Sequence, residues 1–413
     1  MLNKISRYAI ILIIVTISAV HLPNFYWKLF GKRISRPIIY YSPVIDDFVY
    51  FKLGKNNKLN YIDASGKRYN RKKFEALLPF DFYRDLDKWG VLPDTIKGIP
   101  IDVSFIRKNS QSFRISPYKL HNPLIQLFPL FESKSNFTNL ELPNELFRIG
   151  TKIEFITAET NTINDSLTKI FTEKLTETGF SFPATFIDGN PTTRKPFDEG
   201  YFIVDSKGFV FHVKRVKGKP FCVKTNIPAD LGIRKIFISE NPRREFYGTI
   251  LTQSEELYLL TYDNYKIIKL PLDGYNPDKM SLVFLANPIY RVIRYSGSES
   301  RVCVVTDKNY NLVDTYEIKV TPLSKTITGK IEKFIFPFTI NTRSGRSKYV
   351  NFDVNFSGFQ STYGIIISLL ICFFVKKYRR ENLMHNFFDF IIIAVSGMYG
   401  LLAVLLVKPE LWD

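Results

Sequence analysis

The 413-residue chain has little cysteine and little histidine, three and four residues respectively. Cys372 lies in a strongly apolar run, so only Cys222 and Cys303 remain to pair, which excludes a framework of several disulfides. These two lie in the apolar patterns PFCVK and RVCVV. Buried free thiols are common in such patterns, and the sequence leaves open whether the two form one bridge. The histidines are scattered, and we therefore expect no zinc or haem site.

Sequence motifs of enzymes are also missing. The chain has no phosphate-binding glycine loop, dinucleotide fingerprint, HExxH, CxxC or GxSxG nucleophile elbow. We therefore expect no catalytic residues, no cofactor and no bound metal.

Long apolar runs lie at the two ends of the chain. Residues 8–22 follow Lys4 and Arg7 and are either a retained signal anchor, covering residues 1–23, or a cleaved signal peptide. Residues 358–375 and 387–407 approach the about 20 residues that cross a bilayer. The sequence thus predicts three transmembrane helices and makes the lipid bilayer a partner.

The orientation depends on the basic loop 376–386, which holds Lys376, Lys377, Arg379 and Arg380. The positive-inside rule places this loop in the cytoplasm. Residues 24–357 are then expected outside the cytoplasmic membrane, with 408–413 as a short outer tail. Lys28, Lys32, Arg33 and Arg36 argue for the reverse orientation, but a large translocated domain tolerates charges that a short loop does not.

The charge of the chain is strongly basic, with 57 Lys and Arg against 39 Asp and Glu, a net +18. Such an excess often indicates nucleic-acid binding, but an exported domain rarely meets nucleic acid, and we expect none. Contact with anionic lipid headgroups, or simply a solvated basic surface, are the alternatives.

The central region reads as strands. Apolar residues alternate or cluster between short polar turns, and a strand, turn and strand pattern occurs four times. The paired segments are 48–53 with 59–62, 201–204 with 209–216, 257–262 with 265–270, and 301–306 with 310–318. We expect a mainly β domain, with sheets arranged as the blades of a propeller or as a large sandwich or meander. The irregular spacing leaves the number of blades open.

Two helices are expected among these strands. Asn164 or Asp165 caps the first, whose apolar stripe includes Phe171 and Leu175, and Gly179 closes it. The second covers residues 71–78 and ends at Pro79.

The densest group of polar residues is the segment 188–200, which leads into the strand at Tyr201. Arg194, Lys195, Asp198 and Glu199 place both charge signs on one loop bounded by glycine and proline. Loops between rigid strands often carry recognition, and we take these four residues as the candidate partner-binding loop. The alternative is that they form local ion pairs and turn hydrogen bonds.

The last apolar run also carries small residues. Ser396, Gly397 and Gly400 are expected to let helix backbones approach closely, either within the chain or against another membrane subunit. Asp389, near the start of this run, is expected to reach the headgroups or the basic loop.

The segments TGFSFPATFIDGNPTTRKPFDEGYFIVDSKGFVFHVKRVKGKP and FFDFIIIAVSGMYGLLAVL resemble an uncharacterised family of membrane proteins from Bacteroidetes-type bacteria. The resemblance implies an inner-membrane protein encoded beside ABC transporter components, with no established activity. It assigns no functional residue.

These observations together favour a membrane-anchored, non-enzymatic binding or scaffold subunit, an accessory to an ABC transporter or envelope complex. The alternatives are a transmembrane sensor of an external ligand and an envelope hydrolase that uses scattered carboxylates.

Overall fold

The computed structural model describes residues 2–31, 36–54, 58–121, 125–343, 350–381, 383–384 and 386–408. The chain divides into two compact units. Residues 37–318 form a unit that we call the sheet domain, and residues 1–36 together with 319–413 form the helical unit. The sequence predicted a domain over 24–357, but the described residues of 24–36 and 319–357 belong to the helical unit instead.

Strands dominate the sheet domain, and most belong to five antiparallel sheets in which neighbours in sequence are neighbours in space. The strands are β1 (Ile38–Ser42), β2 (Asp47–Leu53), β3 (Leu59–Asp63) and β4 (Arg68–Tyr69) in sheet I; β8 (Phe128–Pro129), β9 (Glu145–Ile149), β10 (Ile153–Thr157) and β11 (Thr162–Ile163) in sheet II; β12 (Phe186–Gly189), β13 (Tyr201–Val204), β14 (Val210–Val216) and β15 (Lys219–Lys224) in sheet III; β16 (Ile233–Ile238), β17 (Phe246–Thr252), β18 (Leu257–Thr261) and β19 (Ile267–Lys269) in sheet IV; and β20 (Ser281–Ala286), β21 (Arg291–Ser296), β22 (Ser300–Thr306) and β23 (Leu312–Lys319) in sheet V.

The remaining elements of the sheet domain are short. Strand β7 (Gln111–Ile115) joins sheet V beside β20, and β5 (Thr95–Ile96) pairs with β6 (Ile99–Pro100). The helices are α2 (Arg71–Ala76), α3 (Pro79–Lys88), α4 (Val103–Lys108), α5 (Pro117–His121) and α6 (Asp165–Glu177).

All four predicted hairpins are present. Aspartates shape the turns of two of them, at Asp205 and Asp307, and Asp63 shapes the next turn of sheet I, between β3 and β4, in the same way. The Asp63 carboxylate accepts the backbone N–H of Lys67, that of Asp205 accepts the N–H of Phe209, and that of Asp307 accepts the N–H of Asn311, each at 2.9 Å. In each turn the aspartate N–H also bonds the carbonyl four residues on, at 2.9 to 3.1 Å. The short acidic side chain thus replaces a missing backbone partner where the strand reverses.

Buried apolar clusters join the sheets in the order II, III, IV, V and I. Strand alternation supplies both faces of a sheet, since Ile203 packs toward sheet II while its neighbour Phe202 packs toward sheet IV. Phe246 of sheet IV packs in one cluster with Phe284 of sheet V. Val305, also of sheet V, packs in another cluster with Phe48 of sheet I. Within the described residues no such cluster joins sheet I to sheet II.

Both predicted helices of the sheet domain are confirmed. The Asn164 side chain accepts the N–H of Leu167 at 3.0 Å and caps α6, while Phe171 and Leu175 are fully buried. Helix α2 matches the second prediction. Pro79 does not simply end it, however, because it is also the first residue of α3, a position where the missing proline N–H costs nothing.

Cys222 and Cys303 are both buried and both free. They therefore form no bridge, and burial raises the pKa of each thiol to about 12.

The helical unit is built from α1 (Leu2–Phe30), α7 (Ile327–Ile335), α8 (Ser361–Tyr378), α9 (Phe387–Ser396) and α10 (Met398–Leu406), with the hairpin β24 (Phe338–Arg343) and β25 (Val350–Phe356). Two segments, Ile5–Phe30 and Gly358–Tyr378, are long and apolar enough to cross a membrane. The Lys32 and Arg33 used in the orientation argument, and positions 409–413 of the predicted outer tail, lie outside the described residues.

The predicted third transmembrane helix, 387–407, is not one spanning helix. Helices α9 and α10 have 10 and 9 residues and meet at Gly397. Arg7 bonds both the Asp389 carboxylate, at the start of α9, and the Val407 carbonyl, after the end of α10. The two helices therefore fold back on each other, and Val407 lies at the same end of the helical unit as Asp389. This corrects the predicted outer tail, which assumed that position 407 lies at the opposite end from position 387.

Candidate functional site

The predicted loop connects β12 to β13 and is fixed at both ends by glycine. A Cβ on Gly200, whose φ is +66°, would lie 2.2 Å from the Val213 carbonyl oxygen. A Cβ on Gly189 would lie 2.5 Å from the Tyr201 ring. The loop thus leaves and rejoins sheet III where only glycine fits.

Lys195 is the centre of a buried ion cluster. Its Nζ lies 2.5 Å from Asp198 Oδ1 and 2.9 Å from Glu240 Oε1, and it also donates to the Asn190 carbonyl. The three ionic side chains are at most 3% exposed. A buried ammonium with two carboxylates is stable only because each charge has such a partner.

Glu199 anchors the other end of the loop. Its carboxylate lies 2.8 Å from Lys214 Nζ and accepts the Tyr262 hydroxyl at 3.1 Å. Burial, followed by the Glu199 charge, raises the pKa of Tyr262. The phenol therefore stays protonated and remains a donor to this carboxylate.

His212, predicted only as a scattered histidine, lies fully buried beneath Glu199. Burial lowers its pKa to about 3, so the ring is neutral. Nε2 lies 2.5 Å from the Glu199 carbonyl oxygen, which can only accept, and therefore Nε2 carries the proton. Nδ1 then accepts the Tyr265 hydroxyl at 2.9 Å. The imidazole also stacks on Phe202 at a centroid distance of 4.5 Å.

Asp188 forms a second buried pair with Lys235, at 2.7 Å. Burial raises the pKa of Asp188 to about 6 against the opposing effect of Lys235. The pKa of Asp198 is also raised to about 6, again chiefly by burial, with Lys195 opposing and Glu240 reinforcing the shift. Each carboxyl therefore binds a proton more readily than a solvated aspartate.

The four predicted loop residues thus have two different environments. Lys195, Asp198 and Glu199 are buried in ion pairs, whereas Arg194 is exposed. Three of the four candidate partner-binding residues are therefore held in ion pairs, which is the alternative that the sequence left open, and Arg194 alone faces solvent. The reason is tertiary: Glu240, from the end of sheet IV, and Lys214, from β14, neutralise charges that look exposed in the sequence.

A cleft of about 430 Å³ opens beside this network. Its walls are residues 188–190 and 194–196 of the loop, residues 236–240 of sheet IV, and Phe113, Arg114 and Lys119. Arg114 and Arg194 are exposed, and neither takes part in an ion pair within the described ranges. Two exposed guanidinium groups next to the buried ion-pair network are suited to bind a carboxylate or phosphate group of a partner.

A larger cleft of about 740 Å³ lies between residues 132–145 and 215–218. Its central carboxylate, Glu132, is occupied by the backbone N–H groups of Lys217 and Gly218, at 2.7 and 2.8 Å. Arg215 lies 3.3 Å from Glu145. Because Glu132 and Arg215 are used in contacts within the chain, and the predicted loop lines the smaller cleft, we take the smaller cleft as the candidate site.

In the described part of the chain, no group of three or more His, Cys, Asp or Glu side chains is placed to hold a metal ion.

Sequence reasoning missed three charged residues of the candidate site, Arg114, Lys235 and Glu240. Each is a single charged residue in or next to a strand, and no local pattern distinguishes it from a solvated one.

The predicted topology residues lie at the end of α8, and one of them is buried. Lys376 Nζ lies 2.9 Å from Asp389 and 2.8 Å from Glu381. Lys377 and Arg380 are exposed, and Arg379 lies 3.9 Å from Glu381. Asp389 does reach the basic loop, as expected, but the stronger contact is with Arg7, which the sequence analysis did not pair with it.

The small residues of the last apolar run serve the turn between α9 and α10. Gly397 has φ +55°, which L side chains rarely adopt. A Cβ on Gly400 would lie 3.0 Å from the Ile393 Cα, so its absence lets α10 approach α9. Ser396 bonds the Ile392 carbonyl at 2.6 Å. The close approach predicted for these residues is between the two arms of one hairpin.

Comparison with protein families gives one match, to a domain of unknown function named DUF4857, over residues 38–306. The chain belongs to this family. The matched range lies within the sheet domain and covers more than half of the chain, so the DUF4857 domain includes the candidate cleft and its buried network. No curated protein matches the chain.

Two solved structures show weak likeness to the DUF4857 protein. The first is the dihydro-heme d1 dehydrogenase NirN in complex with DHE, at 10% identity and a TM-score of 0.20, covering 61% of this chain and 65% of that chain. The chain thus spans less than two thirds of the NirN chain. The second is a Bacteroides fragilis protein provisionally described as exported, at 8% identity and a TM-score of 0.16, covering 57% and 84%. TM-scores this low carry no argument about fold or function.

Proposed function

We propose that this chain is a membrane-anchored, non-enzymatic binding subunit, with its DUF4857 domain in the periplasm of a bacterium and its helical unit in the inner membrane. Its partner is a membrane protein complex of the ABC transporter type. The observation that carries the proposal is the cleft beside the 189–200 loop, where a rigid buried charge network supports two exposed arginines.

Exposed apolar surface supports the membrane location. On α1, Leu12, Ile13 and Ile17 are each more than half exposed, as are Ile366 and Phe374 on α8. Apolar surface of this extent is unfavourable in water and is typical of contact with lipid.

The proposed orientation follows from the basic loop. Lys377, in the last turn of α8, and Arg380, just after this helix, are exposed, as expected for the start of a cytoplasmic connector. Because Arg7 contacts both Asp389 and Val407, the start of α1 and the end of α10 share that side. Residues 37–318 then follow α1 on the opposite side.

For the sheet domain we propose a propeller-like arrangement of five blades. Four-stranded antiparallel meanders that pack face to face in sequence order support it. Strand β7 pairs with β20 and brings an early segment of the chain to the last sheet. Such a pairing is a common way for a propeller to join its two ends.

Recognition of an acidic partner surface is the proposed activity of the cleft. Arg114 and Arg194 are available to bind carboxylates. In the cluster below them, Lys195 is held by Asp198, Glu240 and the Asn190 carbonyl, and the cluster therefore acts as a rigid support. Guanidinium groups on such a support lose little conformational freedom on binding, which favours affinity.

The test is affinity purification of the full-length chain from its native membranes in mild detergent. The comparison is between the native protein, the double variant Arg114→Ala/Arg194→Ala, and the control Arg68→Ala/Arg107→Ala. The control removes two exposed arginines that do not line the cleft. We expect transporter ATPase and permease subunits with the native protein and the control, and at least a fivefold lower recovery with the cleft variant.

Equal recovery with both double variants would move the contact away from the cleft. A monomer that has no partner and turns over an envelope polymer would replace the proposal with the hydrolase alternative.

A further inference from the structure

The amphipathic helix α7 and a group of exposed aromatic residues lie at one end of the helical unit. The Arg7 and Lys376 contacts lie at the opposite end. We propose that α7, together with β25 and the start of α8, lies in the interface of the lipid bilayer, with its apolar face in the acyl chains. The inference rests on the proposed membrane location of the helical unit.

The position of α7 is fixed by the two long apolar helices. Tyr26, near the end of α1, donates its hydroxyl to the Thr328 carbonyl at 3.0 Å, and Trp27 donates its indole N–H to Glu332 at 2.7 Å. Tyr26 is 19 residues from Arg7 along α1, about 28 Å at 1.5 Å per residue. This distance is close to the hydrocarbon thickness of a bilayer, about 30 Å.

The start of α8 holds α7 from the other side. A Cβ on Gly364 would lie 2.0 Å from the Phe334 carbonyl oxygen, so glycine permits direct backbone contact. The rings of Phe334 and Tyr363 stack with centroids 6.3 Å apart. Helix α7 therefore crosses the ends of both long helices, at the level where their apolar segments stop.

Three faces of α7 have different chemistry. Thr328 and Glu332 bind α1, as described. Ile327, Ile331 and Phe334 lie on an exposed face at helical spacing, and Ile327 is 79% exposed. Lys330 and Lys333 lie along one side of this apolar face. A helix with an exposed apolar face bordered by lysines is suited to the boundary between acyl chains and phosphate headgroups.

Neighbouring exposed aromatic residues extend this surface. Phe352 and Phe356 of β25 are 68% and 80% exposed, and Phe359 is 78% exposed. Tyr363 lies 6.2 Å from Phe359, ring centre to ring centre. Tyrosine concentrates at membrane interfaces because it combines an apolar ring with a polar hydroxyl, and the phenylalanine rings beside Tyr363 add apolar surface that suits the acyl chains. The continuity of this surface with the apolar faces of α1 and α8 favours lipid over a protein partner.

The test is depth-dependent fluorescence quenching on the full-length protein in vesicles of phosphatidylcholine and phosphatidylglycerol. An environment-sensitive nitrobenzoxadiazole dye is attached to Ile331→Cys. Matched variants carry the dye at Lys308→Cys in the sheet domain and at Ile371→Cys in the middle of α8. The unsubstituted protein, whose three thiols are buried, gives the background labelling.

We expect lipids with a nitroxide at acyl carbon 5 to quench the Ile331 probe at least threefold more than the Lys308 probe, and aqueous iodide to quench it at least threefold less. The Ile371 probe tests the membrane location by itself, and lipids with a nitroxide at carbon 12 should quench it most strongly. Without lipid quenching at Ile371, the proposed membrane location fails.

If the Ile371 probe is lipid-quenched while iodide quenches the Ile331 probe as strongly as the Lys308 probe, α7 faces water and the inference is wrong. If neither quencher reaches the Ile331 probe, protein covers this face and the inference is also wrong.

Discussion

Arg7 holds the carboxylate of Asp389 in a two-pronged ion pair, with nitrogen to oxygen distances of 2.8 and 3.0 Å, although the residues are 382 positions apart. Asp389 is fully buried and is also paired with Lys376. A lone acid in an apolar run is unfavourable unless it is paired. This contact therefore ties the first helix of the chain to the last apolar segment.

The first prediction concerns the coupling between these two residues. Arg7→Gln and Asp389→Asn should each destabilise the protein, because each leaves an opposite charge without a full set of partners. The double variant should cost less than the sum of the single variants, with a coupling energy of about 1 to 3 kcal/mol.

Thermal unfolding of the full-length protein in detergent measures this cycle. The matched control is Lys377→Gln, which removes an exposed charge from the same end of α8 and should change stability by less than about 0.5 kcal/mol. Strict additivity of the two single variants would mean that the pair contributes no mutual stabilisation.

The second prediction distinguishes a folded-back hairpin from a third transmembrane helix. Cysteines at Lys377→Cys and Lys408→Cys should react alike with a membrane-impermeant thiol reagent in intact cells, because α9 and α10 return to the same side. In the proposed orientation both should be protected, whereas Lys308→Cys in the sheet domain should react.

A single helix over 387–407 would separate positions 377 and 408. Opposite labelling of these two cysteines would therefore contradict the hairpin. Reaction of both, with protection of position 308, would keep the hairpin but reverse the orientation.

The third prediction concerns the loop. Lys195→Ala should destabilise the sheet domain by about 3 to 5 kcal/mol, because Asp198 and Glu240 would then face each other without the ammonium between them. Arg194→Ala, which changes the adjacent exposed residue, should stay within about 0.5 kcal/mol. Chemical denaturation of the full-length chain provides both values. Equal stability of the two variants would show that the buried cluster is not needed for the fold.

The fourth prediction is a dependence of stability on pH through His212. Burial lowers its pKa from 6.5 to about 3, so the unfolded chain binds the extra proton in this range. The contribution to stability is fully present above pH 6.5 and is lost as the pH falls toward 3, by an amount on the order of 4 kcal/mol. His212→Gln keeps one donor and one acceptor but cannot titrate, and its acid-induced loss of stability should be smaller.

Melting temperatures from pH 7.5 to pH 3.5 compare this variant with the native protein. Asp188 and Asp198 shift stability in the opposite direction between pH 6 and 3.8, because their raised pKa values let the folded state bind protons first. Both proteins share this effect, so the difference between them isolates His212. His121→Gln controls for loss of a histidine outside the core. Parallel curves for His212→Gln and the native protein would contradict the neutral buried ring.

Much of the sheet domain could be predicted from the sequence, because the signals that define its hairpins are local. The turn at Asp205 illustrates this: a polar segment with Gly208 separates two apolar runs, and the aspartate side chain bonds the backbone two and four residues away. Helix α6 was predictable for the same reason, since its cap and its buried stripe lie within 13 residues.

The candidate site was only partly predictable. The sequence located the loop but not the burial of Lys195, because Glu240, 45 positions away, reaches it only after sheets III and IV pack together. The exposed arginines of the cleft come from β7 and the loop, two parts of the chain with no shared local pattern.

The apolar ends show the same division between local and tertiary information. The sequence by itself determined that residues 8–22 and 358–375 lie in apolar segments near spanning length, because hydrophobicity is a local property, and the structure extends these segments to the helices 5–30 and 358–378. It did not determine the path of residues 387–407, since a run of that length suits either one span or two short helices. Tertiary structure decided for the hairpin, because Gly397 permits the reversal and Arg7 binds Asp389 and Val407 together.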